Sequence, residues 1–241
     1  MNSIIKSVLA MSVSLIILFS CAPARYVKPL DKGQHALQVN LGGPIAKVPG
    51  IGVIPMPLTT VGYGYGLKEH LTLFGNLHTT SLLFGVGQVD VGAAYRCWSR
   101  KNMGITLQPT LNVAVDFYTG ANRFWPQLDA NYYLKYGKHS KPVQLDAMCK
   151  IESKHYNFFY AGLSNWFDPY KTESQGRPNA QFWIPSVQLG HQWIRPKWSY
   201  QAELKMLAPN QSNQNIVVNY PSMLNNRGAL GLYFGITYHL K

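Results

Sequence analysis

The stretch Ile105-Thr106-Leu107-Gln108-Pro109-Thr110-Leu111-Asn112-Val113-Ala114-Val115-Asp116-Phe117 decides the fold. Its odd positions carry Ile, Leu, Pro, Leu, Val, Val and Phe; its even positions carry Thr, Gln, Thr, Asn, Ala and Asp. Alternation with a period of two places successive side chains on opposite faces of an extended chain, so this is a strand with one apolar and one polar face. Clean copies occupy residues 89–95, 126–136, 143–151, 183–193, 198–206 and 230–240, and weaker ones residues 37–41, 57–67, 71–78 and 156–167. With a further candidate at 215–220 the count reaches twelve, an even number that returns both chain ends to one side. No stretch has a helical period and no linker interrupts the series. Short alternating segments separated by turns read as an all-β antiparallel meander.

Both a soluble sandwich and a membrane barrel have one wet and one dry face, so the placement of charge has to separate them. On the apolar rows of the five cleanest segments there is no charged residue. The polar rows hold Asp90, Asp116, Asp129, Lys135, Asp146, Lys150, Glu203 and Lys205 among Gln, Asn, Thr and Ser. Charges so few and of both signs suit a barrel lumen better than the Lys- and Glu-rich outside of a soluble sheet. Gly62, Gly64 and Gly66 share one row opposite Val61, Tyr63 and Tyr65, and Gly231 and Gly235 lie opposite Leu232, Phe234 and Ile236, which makes the inward face locally narrow. If the apolar row faces lipid, Leu111→Lys is costly and Asn112→Lys on the other row is tolerated. Pro109 must interrupt its ladder, so a bulge is expected there.

Aromatic residues gather at the segment ends: Trp98, Trp125, Tyr136, Trp183, Trp193, Trp198 and Tyr238. Trp183 and Trp193 stand ten residues apart on one face, close to the nine to eleven residues a tilted strand needs to cross a bilayer. Such spacing predicts two aromatic girdles at headgroup height. In this arrangement the mature chain resembles small outer-membrane β-barrel proteins, and its final row, Leu230, Leu232, Phe234, Ile236, Tyr238 and Leu240, looks like their C-terminal assembly signal. The resemblance implies an antiparallel up-and-down transmembrane barrel of ten or twelve strands, with twelve favoured, over residues 34–241. Basic turns at 68–70, 100–103, 138–141 and 195–197 read as its periplasmic side, although a short break at 153–155 disturbs their alternation with longer loops.

The first twenty residues have the order of a secretory signal: Lys6, an apolar run from Val8 to Phe19, then Ser20 directly before Cys21. Leu18-Phe19-Ser20-Cys21 resembles the lipobox of bacterial lipoproteins. That resemblance implies cleavage before Cys21, acylation of its thiol, and a lipidated tether over residues 21–33. Two or more acyl chains anchor a protein stably.

Composition agrees with an envelope protein. Of 241 residues, 221 remain after removal of residues 1–20, enough for one barrel-sized domain. Charged and aromatic residues each make up 13% of the chain, where soluble proteins average about 25% charged. The formal charge of +12 falls to +11 without Lys6. Zinc-finger spacing, a Gly-rich phosphate loop and a basic helix are all absent, which argues against nucleic acid. Basic loops instead suit membrane lipid and lipopolysaccharide as partners. After Cys21 only Cys97 and Cys149 remain, both on apolar rows, where free lipid-facing thiols are expected rather than a disulfide.

Function is less legible. No metal or cofactor motif occurs, and G-x-S-x-G, H-E-x-x-H and paired-carboxylate spacings are missing. Ser186 and His191, on one segment, are five residues apart and point to opposite faces, which prevents a nucleophile–base pair. His78, His191 and His239 read as interfacial polar residues and the chain as a non-enzyme, without a catalytic residue. The leading function is a narrow passive pore for small solutes. The alternatives are a structural or surface-interaction barrel, a lipid-tethered lipocalin-like barrel, and a lipid-modifying enzyme of the outer membrane.

Overall fold

The computed structural model describes residues 23–48, 50, 52–137, 155–172, 178–179, 181–213, 219–222 and 224–240. Eleven strands and one short helix follow in the order β1 (His35–Val48), β2 (Gly52–Pro55), β3 (Leu58–Lys68), β4 (Leu71–His78), α1 (Thr79–Leu83), β5 (Val86–Arg100), β6 (Met103–Asp116), β7 (Asn122–Tyr136), β8 (Tyr156–Phe167), β9 (Trp183–Ile194), β10 (Trp198–Ser212) and β11 (Arg227–Leu240). Each strand pairs antiparallel with the next, and β11 closes on β1 from His35↔Leu240 to Pro44↔Gly231. Strand β2 lies outside the ring and pairs only with the overhanging end of β1. The ring therefore has ten strands, β1 and β3 to β11.

Ten is one of the two expected counts, and the favoured twelve is not reached for a physical reason. Strand β7 pairs directly with β8 from Gln127↔Trp166 to Tyr136↔Asn157, so no edge is open between them for segment 143–151. Strands β10 and β11 are likewise joined directly, which leaves no place in the ring for 215–220. Residues 143–151 and 215–218 themselves lie outside the described residues. The connection 137–155 falls on the same side of the ring as the short turns 69–70, 101–102 and 195–197, so the expected alternation of short turns with longer loops is broken at that one place.

Pro109 does not produce the expected bulge. The β5–β6 register is the same on both sides of it, at Gly92↔Thr110 and Tyr95↔Leu107, and only the pairs between them drop out of the ladder. A proline has no N–H to give, and the intact pairing of Pro109 with Leu128 on the β7 side holds the strand in line. The register shift falls instead between Arg96 and Trp98, which makes Cys97 the extra residue. Cys97 is exposed and free.

The wall is inverted relative to a soluble protein. Gln38, Asn40, Thr106, Gln108, Asn112, Asn131 and Gln188 point inward and are at most 2% exposed. Leu37, Val39, Leu41, Val91, Leu111, Leu128, Leu163, Val187, Leu204 and Ile236 point outward and are 41% exposed or more. Burying the amides while presenting the aliphatic side chains is unfavourable in water and favourable in hydrocarbon. Ring closure also leaves no lipid-facing strand edge with unpaired backbone groups.

Trp98, Tyr136, Trp183, Trp193 and Trp198 are exposed on the outer face, and Tyr238 packs against Trp198 with ring centroids 4.6 Å apart. Trp125 is a correction. It pairs with inward-facing Asn112 and is buried with Val86 and Ala114 inside one mouth, because it sits on the polar parity of its strand.

Candidate functional site

The lumen is not empty. Residues 23–30, expected as part of a tether outside the barrel, run within it, and all but Lys28 are buried. The segment has no period of its own: it bends at residues 25, 27 and 28, Tyr26 has a positive φ, and proline at 23 and 29 keeps it out of regular structure. Its backbone groups must then be satisfied by the wall. Ala24 N–H donates to Glu203 Oε2 at 2.9 Å, and Gln201 Nε2 donates to the Ala24 carbonyl at 2.9 Å. Gln108 Nε2 donates to the carbonyls of Arg25 and, at 3.2 Å, Tyr26. Leu30 N–H reaches Thr72 Oγ1 at 2.7 Å, and Gly33 N–H reaches the Gly66 carbonyl at 2.7 Å, which carries the chain out to β1.

One ion pair fastens the segment from inside. The Arg25 guanidinium is bonded to the Asp90 carboxylate, with both side chains out of solvent. Asp90 also accepts from Asn76 Nδ2 at 2.6 Å, and His78 Nε2 stands 2.8 Å from its other oxygen. A carboxylate with three such partners suits a buried setting that an isolated charge does not. Two apolar patches flank the pair. Ala24 and Val27 pack on Tyr133, Phe158 and Tyr160, while Tyr26 and Leu30 pack on Ala36, Phe74 and Ala94.

Glycines on the wall make room for this plug. A Cβ at Gly64 would overlap the Tyr26 ring, and one at Gly66 would overlap the Asp31 carbonyl. The inward face at Gly64 and Gly66 is therefore the bed of the segment, while a Cβ at Gly62 would meet Asn76 of the wall. Because the group in the way at Gly66 is backbone, Gly66→Ala should displace the segment without harming the wall. Trypsin should then cut after Arg25 in the folded barrel, whereas the wild-type segment stays protected; the Lys28–Pro29 bond resists trypsin in either case.

The predicted lumenal charges divide into three groups. Asp90 and Glu203 hold the plug. Lys205 stands 3.4 Å from Glu203 Oε1, and Tyr160 OH donates to Glu203 Oε2 at 2.7 Å. Asp129 belongs to the wall alone, accepting from Gln127 Nε2 at 2.8 and 3.0 Å. Asp116 lies at the end of β6, where it caps a turn by accepting from Tyr118 N–H at 2.8 Å and Thr119 Oγ1 at 2.8 Å. Lys135 stands at the opposite mouth over the rings of Tyr133 and Tyr156. Cys21, Asp146, Lys150 and Cys149 lie outside the described residues.

Arg25 was missed because nothing in an aperiodic segment marks an inward cation. Its signal was Asp90, a carboxylate in the polar row of β5 whose partners on the wall, Asn76 and His78, leave room for a cation. His78 was read as interfacial and is buried. His191 sits on the outer face against Phe159 and Trp193, with Tyr136 OH 2.5 Å from its Nε2. Ser186 and His191 remain apart, but β10 and β11 bring Ser199 Oγ within 2.6 Å of His239 Nε2 near the short-turn mouth. Among the described residues no group of three metal-ligating side chains forms.

That mouth contains a cavity of about 370 Å³ between plug and wall. Burial, with the nearby Arg96 charge adding, pulls the Lys28 ammonium at its edge down to about 8.

No protein-family model and no curated protein matches the chain. Solved structures do. The NanC porin is 10% identical over 86% of this chain and 100% of its own, with a TM-score of 0.38. The translocator domain of the autotransporter NalP from Neisseria meningitidis is 11% identical over 89% and 91%, with a TM-score of 0.41. The outer membrane protein OprG from Pseudomonas aeruginosa is 11% identical over 89% and 99%, with a TM-score of 0.31. Similarity this distant adds nothing to the argument from geometry. The chain is a closed antiparallel ten-strand barrel whose apolar side chains face outward and whose lumen holds its own N-terminal segment.

Proposed function

We propose that the chain is a barrel of the Gram-negative outer membrane that is plugged by its own residues 23–31 and works as a structural or surface-interaction protein, not as a standing pore. The observation that carries this reading is the buried pair of Arg25 and Asp90, which ties the segment across the lumen. A passive pore for small solutes needs a water path, and here the path is filled by Ala24, Arg25, Tyr26 and Val27. A lipocalin-like soluble barrel is disfavoured by the outer face, because that fold keeps its aliphatic rows inside. Liposome swelling tests the claim: vesicles carrying the wild-type barrel should stay as tight to small sugars as empty vesicles, and swelling at a porin-like rate would refute it. Heat-modifiable gel mobility of the membrane fraction should accompany the tight vesicles.

We also propose acylation at Cys21, on the lipobox resemblance. Radiolabelled palmitate should enter the wild type and not Cys21→Ala; equal labelling would end the idea.

A further inference from the structure

The cavity at the short-turn mouth is built jointly by plug and wall. Tyr26, Lys28 and Asp31 line it from the segment, and Tyr156, Arg195 and Ser199 from the strands and turns. Of the cations at this mouth, Lys28 and Arg195 line the cavity, and Lys135 and Arg96 lie close by. Lys28 and Lys135 stand over the same ring, that of Tyr156, with their ammonium nitrogens 5.7 and 5.8 Å from its centroid. Arg96 adds a third charge that acts on both. Arg195 is fixed at the rim, its Nη1 donating to Ile194 O at 2.7 Å and Asn157 Oδ1 at 3.0 Å. Against these four cations the described carboxylates nearby are Asp31, 4.0 Å from Lys28, and Glu69, whose field also reaches Lys28.

Two ammonium groups that share one aromatic ring are attracted to the ring but repel each other. Partial burial strengthens the repulsion, since water screens it less. An anion in the cavity beside Lys28 and Arg195 offsets this positive charge and meets more than one N–H donor. A phosphate suits this arrangement better than a single carboxylate, because its greater charge and additional acceptor oxygens answer more than one cation. The volume is larger than a bare ion needs, and Tyr26, Pro29 and Leu30 offer an apolar side for an organic remainder.

We propose that this cavity binds a phosphate-bearing ligand that enters from the short-turn side of the barrel. The site rests on the plugged reading, since Tyr26 and Lys28 belong to the segment. Its phosphate belongs either to a soluble phosphomonoester or to a phospholipid headgroup.

The test uses the full-length protein refolded in a neutral detergent, titrated calorimetrically with glycerol 3-phosphate in one arm and dihexanoyl phosphatidic acid in the other. Saturable one-to-one binding of glycerol 3-phosphate identifies a solute site; binding of the lipid alone identifies a headgroup site. Lys28→Gln and Lys135→Gln should each weaken that binding at least tenfold. Lys101→Gln, on the neighbouring β5–β6 turn, should leave it unchanged. Bilayer conductance of the same preparation separates the two readings. A closed barrel that binds neither probe, or that binds equally well in the Lys28 and Lys135 variants, overturns the site and leaves the plug standing. A conducting barrel that binds neither overturns both.

Discussion

Deleting residues 23–31 should convert a closed barrel into one that conducts in planar bilayers. Once the segment leaves, Asp90, Glu203, Gln108 and Gln201 face an aqueous lumen, and a polar wall of this kind wets. A single substitution should go most of the way. Removing one member of a buried ion pair costs about 3 to 5 kcal/mol, because the partner stays buried and uncompensated. In Arg25→Asp the loss is compounded by repulsion from Asp90. At about 1.4 kcal/mol per factor of ten, docking weakens by two or more orders of magnitude, and the segment should spend much of its time undocked. The exchange Arg25→Asp with Asp90→Arg restores opposite charges and should return the barrel toward the closed state. The segment deletion and the Arg25 substitution differ in what they remove, so both must conduct for the plug to be the cause. Wild-type conductance equal to that of the deletion would mean that the segment does not fill the lumen in a membrane.

Leu111→Lys should cost about 2 to 4 kcal/mol in lipid vesicles, the magnitude for a cation on the lipid face near the bilayer midplane. Leu111 pairs with Val91 and Pro126 in the middle of β6, faces outward, and is 41% exposed. Leu111→Phe should be nearly neutral there, because lipid adapts to a larger side chain, whereas a packed protein core charges about 1 to 3 kcal/mol for overpacking. Denaturant unfolding of the vesicle-bound protein reads both values. Asn112→Lys no longer serves as the tolerated counterpart. Asn112 is fully buried and its Nδ2 donates to Gln127 Oε1 at 3.0 Å, so a longer cation meets a packed amide network instead of open water. A loss under about 0.5 kcal/mol for Leu111→Lys, the size of an ordinary surface change, would contradict a lipid-facing row.

The wall was legible because each strand must satisfy two solvents at once, and a period of two records that demand in every second residue. Residues 105–117 show inward Gln108 and Asn112 and outward Leu111, as their parity indicates. Strand number was not legible from alternation. Residues 143–151 alternate as cleanly as any segment, yet membership in the ring depends on which edges are already paired, and β7 has given its edge to β8. Trp125 was misassigned through its residue type, although its own parity, shared with Gln127 and Asp129, placed it inside. The plug left the weakest trace. An irregular segment that borrows hydrogen bonds from a wall has no period, and its partners come from β4, β5, β6 and β10. Besides Asp90, its sequence signals were Gly64 and Gly66, which reported a close approach without naming what approaches.

Maleimide labelling of single cysteines in membranes, in a background without Cys21, Cys97 or Cys149, tests the central claim most directly. It asks whether the apolar row meets lipid and whether the polar row is covered by the segment. A cysteine at Leu111 should react with a lipid-soluble reagent and resist a water-soluble one. A cysteine at Gln108, which caps the Arg25 carbonyl in the structure, should resist both in the full chain and react with the water-soluble reagent once residues 23–31 are deleted. If neither reagent reaches Leu111, that row is packed against protein and the membrane barrel is wrong; if Gln108 reacts equally with and without the segment, the lumen is not plugged.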